Sequence, residues 1–298
     1  MKRESRYAGV VVPMITPVTP SGDIDTMAVQ RIIKSFVESG VHALIMGTTG
    51  EGNSVAPDQA KIFVKTAVEA AQKKIVIYVG LSGCSTRHHI EMANEYHKLG
   101  ADLIVPTLPG YYALTNEQMY QYYKTVADHV TAPVMLYNIK ATTHMSIPVD
   151  VVSQLSQHPN IVGLKDSERD LERMQACLNI SLNSDKFAYF VGWAAQSANA
   201  LELGADGIVP STGNFVPQMF RDLYDAGISG DRTTARRLQA ETDEMAKIYQ
   251  ADRTLGQSLA ALKVMMGTKG LCGPDMLSPL TRLTESEEKT IVEHTLAL

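Results

Sequence analysis

The sequence contains little cysteine and no long apolar run, and these shortages exclude several classes of protein. Its three cysteines, Cys84, Cys177 and Cys272, are far apart, and none has a C-x-x-C neighbour. This usage fits reduced thiols better than a disulfide framework. No apolar run approaches the ~20 residues that span a bilayer, and the N-terminal MKRESRYAGV lacks the apolar core of a signal peptide. We therefore expect a soluble, cytoplasmic protein.

The sequence also lacks the usual patterns of metal, nucleotide and nucleic-acid sites. Its eight histidines show neither an H-E-x-x-H motif nor paired Cys/His spacing, so no metal site is predicted. The glycine-rich segment 47–52 matches neither a P-loop nor a G-x-G-x-x-G motif, and no cofactor is predicted. A net charge of −5 without a basic stretch disfavours nucleic acid and anionic lipid as partners. Small molecules remain as the expected partners.

Eight short apolar runs alternate with longer segments of helical periodicity, which is typical of parallel strands joined by crossover helices. The predicted strands are Val10–Ile15, Ala43–Met46, Ile75–Val79, Leu103–Val105, Val134–Tyr137, Ile161–Lys165, Ala188–Val191 and Gly207–Val209. The clearest predicted helices are Thr26–Ser39, Pro57–Ala71, Thr86–Leu99, Asn116–His129 and Phe215–Ala226. The pattern predicts an α/β fold, a (β/α)8 barrel over residues 1–230. Residues 231–298 are predicted as a helical extension packed on the barrel, with a loop at Gly270–Pro279.

Polar residues follow four of the predicted strands, at the end where barrel enzymes build their active sites. They are Gly47-Thr48-Thr49-Gly50-Glu51, Tyr137-Asn138, Lys165-Asp166 and Ser211-Thr212-Gly213-Asn214. Burial of Lys165 at the end of an apolar strand would favour its neutral, nucleophilic amine. Taken singly, Lys165 is more simply a solvent lysine paired with Asp166 or Glu168, and Tyr137 a core aromatic. Four such features at four strand ends favour a shared site.

The same segments resemble the dihydrodipicolinate synthase and N-acetylneuraminate lyase family of class I aldolases, over nearly the whole chain. The resemblance lies in GTTGE at 47–51, YN at 137–138, GLKDS at 163–167, GADG at 204–207 with Asn214, the tyrosines of Pro109–Tyr112, and Lys263, Gly267 and Pro279-Leu280 near the C-terminus. It implies a TIM-barrel lyase that binds pyruvate or another 2-oxo acid as a Schiff base on Lys165.

The resemblance also implies roles for individual residues. Lys165 would form an iminium with the ketone, and Tyr137 would shuttle protons as a general acid and base. Thr48 and Thr49 would bind the carboxylate, and Thr49 would relay protons to Tyr137; helix capping is the alternative for both threonines. Tyr112, from a neighbouring subunit of a homotetramer, would complete the relay, with Tyr111 as the alternative.

Three further residues are expected to line the substrate site. Val209 ends the last predicted strand, and Ser211 lies where related lyases place a hydroxyl-binding serine. Lys140, together with His144, is a candidate for binding an acidic group of the substrate. A solvated loop is the alternative for this segment.

Two departures from the family bear on the substrate. The segment Lys140–His144 lacks the arginine that dihydrodipicolinate synthases place after Tyr-Asn, and lysine does not replace its bidentate clamp. The segment Gly192–Ala195 lacks both carboxylates of the sialic acid lyases. We therefore predict a lyase that acts on pyruvate and an aldehyde, and whose leading substrate is a 2-keto-3-deoxy sugar acid.

Several alternatives remain open at this point. A sugar-acid dehydratase would use the same lysine, and 4-hydroxy-tetrahydrodipicolinate synthesis would use the same enamine. A ligand-binding sensor for 2-oxo acids and a phosphosugar-binding barrel are possibilities from other classes. The intact Thr48, Thr49, Tyr137 and Lys165 disfavour the sensor, and the missing phosphate loop after the last two strands disfavours the phosphosugar barrel.

Overall fold

In the computed structural model, which describes residues 7–298, eight parallel strands form a closed barrel in chain order. The strands are β1 Gly9–Pro13, β2 His42–Ile45, β3 Ile77–Leu81, β4 Leu103–Pro106, β5 Val134–Asn138, β6 Ile161–Asp166, β7 Ala188–Val191 and β8 Gly207–Ile208. The barrel closes where Gly9 and Val10 pair with Gly207 and Ile208. The predicted (β/α)8 fold is confirmed.

Nine helices connect and follow these strands in the described part of the chain up to residue 229. They are α1 Thr26–Glu38, α2 Pro57–Ala71, α3 Thr86–Lys98, α4 Asn116–His129, α5 Lys140–Thr143, α6 Val149–Leu155, α7 Leu171–Leu182, α8 Ser197–Glu202 and α9 Pro217–Ser229. Helix α5 is a single turn. It lies in the segment Lys140–His144, for which a solvated loop was the alternative prediction. The predicted helix Phe215–Ala226 begins instead at Pro217, since proline suits the first helical turn.

Strand β3 begins and ends two residues later than predicted. The predicted strand ended at Val79, but the strand continues through Gly80 to Leu81. A Cβ atom at Gly80 would lie 2.3 Å from the Met46 carbonyl oxygen, so this close approach of β3 to the turn after β2 requires glycine. The glycine therefore marks contact with the neighbouring loop.

Alternation of side chains along the strands produces two apolar cores. One fills the barrel and includes Leu44, Tyr78, Leu103, Tyr137 and Phe190. The other lies between the strands and the surrounding helices. Tyr137 thus projects into the barrel, where its hydroxyl can face the strand ends.

Three helices form the C-terminal part: α10 Arg232–Gln250, α11 Leu255–Gly267 and α12 Glu285–Leu296. Every residue of α11 from Ser258 to Met266 is buried, as expected of a helix that is apolar on all sides. The segment 268–284 joins α11 to α12 and contains the predicted loop. Within residues 7–298, no helix is both long and apolar enough to cross a membrane.

Candidate active site

Lys165 and Tyr137 lie side by side at the C-terminal edge of the barrel. The parallel register pairs Tyr137 with Lys165 across β5 and β6. Lys165 is 4% exposed, and its Nζ lies 3.9 Å from the centroid of the Tyr137 ring. Within residues 7–298 this amine forms no hydrogen bond or ion pair. The interpretation of Lys165 as a solvent lysine paired with Asp166 or Glu168 is wrong, because these carboxylates pair with Arg173 and Lys140 instead.

The turn after β2 brings a second hydroxyl to the Tyr137 phenol. The Oγ1 of Thr48 lies 3.2 Å from the Tyr137 hydroxyl oxygen, and either atom can donate. Sequence reasoning assigned the relay to Thr49, but the contact belongs to Thr48, because successive side chains of a tight turn project in different directions. The Thr49 hydroxyl has no hydrogen-bond partner in the described chain. Its role as a carboxylate ligand stays a prediction.

The backbone of this turn has unused donors. The N–H groups of Gly50, Glu51 and Gly52 donate to carbonyls within the turn. The N–H groups of Thr48 and Thr49 donate to no acceptor among residues 7–298. Successive backbone N–H groups in a turn form a concave anion site. The turn therefore offers two donors to a carboxylate beside the Lys165 amine.

Glu51 anchors the turn to the C-terminal helices. It is buried, with φ of 51°, and its Oε1 lies 2.5 Å from the Nζ of Lys263 on α11. The backbone N–H of Leu277 donates to the other carboxylate oxygen at 2.8 Å. Lys263 also donates to the Asp275 carbonyl at 2.7 Å. The C-terminal part thus anchors this turn.

The end of β6 is held by a buried network around Asp166. This carboxylate accepts from Asn138 Nδ2 at 2.8 Å, from Arg173 Nε at 2.7 Å and from the Glu168 N–H at 3.0 Å. Burial raises the pKa of Asp166, while the Arg173 charge and these hydrogen bonds act against that rise. The network fixes the backbone that follows Lys165.

Glu168 extends the network toward Lys140, a residue expected to bind substrate. Glu168 accepts from Ser146 Oγ at 2.6 Å and Asn138 Nδ2 at 3.0 Å, and its Oε1 lies 3.3 Å from Lys140 Nζ. Partial burial raises the pKa of Glu168, but these hydrogen bonds outweigh it and the pKa is lowered. Lys140 is therefore paired with a protein carboxylate. Its companion His144 is exposed, with φ of 58°.

The segment after β8 closes the site on the other side. Val209 is 4% exposed and belongs to the same inner core as Tyr137. Asn214 donates to the Pro13 carbonyl at 2.9 Å and accepts from the Ile15 N–H at 3.0 Å, which ties this segment to the end of β1. The Ser211 hydroxyl lies 2.7 Å from the hydroxyl of Tyr249 on α10.

Trp193 follows β7 at the same edge. The Gly192 N–H before it donates to the Asp166 carbonyl at 2.6 Å, and the Trp193 side chain packs partly buried against the outer core.

Tyr111 and Tyr112 are 78% and 70% exposed, and their ring centroids lie 4.9 Å apart in an edge-to-face arrangement. Neither tyrosine hydroxyl is bonded within residues 7–298, so a role across a subunit interface stays a prediction.

Sequence reasoning missed Arg173 and Tyr249. Arg173 shares the buried stripe of α7 with Cys177 and Ser181, at helical spacing. A charged residue on such a stripe was an available signal. Tyr249 had none, because its partners after β8 are nearly 40 residues earlier in the chain.

No group of three or more His, Cys, Asp or Glu side chains in the described residues is arranged to hold a metal ion. Within residues 7–298, the arrangement combines a buried amine that has no hydrogen-bond partner, a phenol with a hydroxyl partner, and a turn with two unused backbone donors. These are the groups that Schiff-base chemistry on a 2-oxo acid requires.

The chain is similar to known enzymes over almost its whole length. The model of the dihydrodipicolinate synthetase family matches residues 6–297. A 4-hydroxy-tetrahydrodipicolinate synthase of Alkalilimnicola ehrlichii is 30% identical over 289 residues, covering 96% of each chain. The corresponding enzyme of Laribacter hongkongensis is 30% identical over 285 residues, covering 95% of this chain and 96% of its own.

Solved structures show the same similarity. Dihydrodipicolinate synthase of Bacteroides thetaiotaomicron superimposes with a TM-score of 0.92 at 25% identity, over 98% of both chains. A prophage protein of E. coli K12, described as belonging to the dihydrodipicolinic acid synthase family and solved in complex with pyruvate, also gives a TM-score of 0.92. It is 25% identical, over 98% of this chain and 99% of its own.

Proposed function

The chain belongs to the dihydrodipicolinate synthetase family of class I aldolases and lyases, and from this membership we propose that it cleaves a 2-keto-3-deoxy sugar acid to pyruvate and an aldehyde. The observation that carries the proposal is the Lys165 amine. It is buried and unpaired within residues 7–298, and it lies over the ring of Tyr137. Pyruvate is the ketone component in this family.

The proposed reaction begins with attack of the Lys165 amine on the C2 ketone. Tyr137 gives its proton to the departing hydroxyl, and loss of water leaves a Tyr137 phenolate and an iminium, whose positive charge draws electrons from the neighbouring carbon. The substrate's C4 hydroxyl then gives its proton to Tyr137, the C3–C4 bond breaks, and the aldehyde departs. The bond electrons form an enamine on the lysine. Protonation at C3 and addition of water release pyruvate and the free amine.

Tyr137 and the turn after β2 serve this sequence in different ways. Tyr137 acts as the positioned acid and base, and its contact with Thr48 provides a route for the proton. The N–H groups of Thr48 and Thr49, with the Thr49 hydroxyl, bind the substrate carboxylate. The carboxylate is thereby held beside the carbon that Lys165 attacks.

The proposed substrate class rests on what surrounds this centre. A second carboxylate on the substrate would need a cation, but Lys140 is already paired with Glu168. The segment Gly192–Ala195, which follows β7, carries no charged side chain that could bind such a group. A short sugar acid, with hydroxyls but without a second acidic group, suits this surface best. Ser211 and Val209 would line its aldehyde half.

4-Hydroxy-tetrahydrodipicolinate synthesis is the second candidate, supported by the names of the curated relatives. It shares the same enamine but condenses it with an aldehyde that carries a carboxylate. A sugar-acid dehydratase would share the iminium and expel a hydroxyl instead of an aldehyde.

Two measurements test the proposal. Incubation with pyruvate and borohydride should add one reduced pyruvyl group to Lys165, seen by peptide mass spectrometry. We expect kcat/KM for C5 or C6 2-keto-3-deoxy acids to exceed that for N-acetylneuraminate and for pyruvate with aspartate semialdehyde. An adduct on another lysine contradicts the mechanism. A tenfold advantage for either of the last two substrates contradicts the substrate class and leaves the mechanism intact.

A further inference from the structure

The hydroxyl of Tyr249 is the centre of a hydrogen-bonded cluster between the C-terminal part and the barrel mouth. Ser211 Oγ lies 2.7 Å from it, Thr212 Oγ1 lies 3.0 Å from it, and Gln250 Nε2 donates to it at 2.8 Å. Tyr249 is on the last turn of α10 and is 1% exposed. Ser211 and Thr212 follow β8, at the same barrel edge as Lys165.

The number of donors and acceptors decides which way the protons point. A phenol oxygen has one proton to donate and two lone pairs that accept. The amide of Gln250 takes one lone pair. Thr212 is 1% exposed and its hydroxyl has no other partner in residues 7–298. A buried donor left unpaired is costly, so Thr212 donates to the second lone pair.

The proton of Tyr249 is then left for Ser211. Burial raises the pKa of Tyr249, which keeps the phenol protonated and able to donate. Ser211 accepts this proton, and its own hydroxyl proton has no acceptor in the described chain. Ser211 is only half-buried, so that proton is accessible to a ligand.

We propose that Tyr249 is a positioning residue that fixes Ser211 as a hydrogen-bond donor to a hydroxyl oxygen on the aldehyde half of the substrate. The inference rests on the proposed aldolase function, and it adds a residue of the C-terminal part as a determinant of specificity. Tyr249 itself does not contact the substrate. It selects hydroxylated aldehydes by holding the Ser211 proton in one direction.

The test compares an aldehyde that carries hydroxyls with one that does not. Pyruvate is condensed with D-glyceraldehyde or with propanal, using the full-length protein and Tyr249→Phe. We expect kcat/KM for glyceraldehyde to fall roughly tenfold, as for one lost hydrogen bond, while kcat/KM for propanal stays within about twofold. Borohydride trapping of pyruvate on Lys165 should be unchanged.

Further variants separate positioning from a general structural effect. Ser211→Ala should reproduce the selective loss, and Tyr249→Phe combined with Ser211→Ala should be no worse than Ser211→Ala alone. Gln250→Glu should also cause the loss, because a carboxylate takes the Tyr249 proton and makes Ser211 donate to Tyr249. The matched control is Tyr224→Phe, which removes a buried hydroxyl that donates to the Asp206 carbonyl, before β8, and should leave both aldehydes unaffected.

Three outcomes overturn the inference. They are an equal loss with both aldehydes in Tyr249→Phe, additive losses in the double variant, or a wild-type enzyme that does not prefer glyceraldehyde to propanal. Each of them leaves the proposed function standing if pyruvate is trapped on Lys165. Absence of trapping in the wild type contradicts the proposed function itself.

Discussion

The carboxylate of Glu51 and the ammonium group of Lys263 lie 2.5 Å apart, and neither side chain is exposed to solvent. The pair joins the turn after β2 to helix α11, and both partners make further hydrogen bonds to the segment that follows α11. Two charges buried together stabilise each other, but a single one left behind is strongly destabilising. The turn that holds Thr48 and Thr49 therefore depends on the C-terminal helices.

Removing one charge of this pair should lower the free energy of unfolding more than removing both charges together. We expect Lys263→Met to lower the free energy of unfolding by ~3–5 kcal/mol, since it leaves the Glu51 charge buried alone. Glu51→Gln combined with Lys263→Met should lose less than the sum of the single variants. Urea denaturation measures all three. Lys247→Met, which breaks an exposed pair with Glu244, should cost at most about 1 kcal/mol, and additive losses at Glu51 and Lys263 would contradict the coupling.

Lys165→Arg should abolish both turnover and the borohydride adduct, because a guanidinium stays protonated and does not attack a ketone. The matched control is Lys140→Arg, which keeps a cation beside Glu168 at the same mouth and should retain the adduct. Peptide mass spectrometry and pyruvate-release kinetics report both effects. Persistent adduct formation in Lys165→Arg would assign the Schiff base to another lysine.

Substitutions of Tyr137, Thr48 and Thr49 should separate the proton route from carboxylate binding. Tyr137→Phe should lower kcat by roughly 10²–10⁴, the usual value of a positioned acid or base. Thr48→Val removes the hydroxyl partner of Tyr137 and should lower kcat more than it raises KM for pyruvate. Thr49→Val should do the reverse. Steady-state kinetics distinguish the two threonines. A larger effect on kcat in Thr49→Val than in Thr48→Val would assign the proton relay to Thr49.

Arg173→Met should destabilise the protein more at neutral pH than in acid. Burial already raises the pKa of Asp166, and loss of the opposing Arg173 charge should raise it further. A carboxyl whose folded pKa lies above its unfolded value binds more protons in the folded state, so its contribution to stability falls as pH rises above the unfolded value of ~3.9.

The loss of unfolding free energy in Arg173→Met should therefore be smaller at pH 4.5 than at pH 7.5, as measured by urea denaturation against wild type. Arg237→Met, which breaks an exposed pair with Glu241 on α10, is the control and should show little difference between the two pH values. A larger loss of unfolding free energy at pH 4.5 would indicate that the Arg173 charge does not lower the pKa of Asp166.

Features that depend on local pattern were predictable, and features that depend on packing between distant segments were not. Eight apolar runs predicted the strands, and because parallel strands end at one edge, Tyr137 and Lys165 were expected to meet there. Thr48 and Thr49 are identical residues, so the sequence does not show which of them contacts Tyr137. The geometry of the turn decides this. The partnership of Tyr249 with Ser211 arises only after α10 packs against the barrel.

Trp193 gives the site an optical property of its own. It is the single tryptophan of the chain, and it follows the Gly192 N–H that bonds to the Asp166 carbonyl, one residue beyond Lys165. Its partly buried indole packs against the outer core, next to this bond between the end of β6 and the residue after β7. Because the chain has no other indole, tryptophan emission from the unlabelled protein reports changes at this one position after β7.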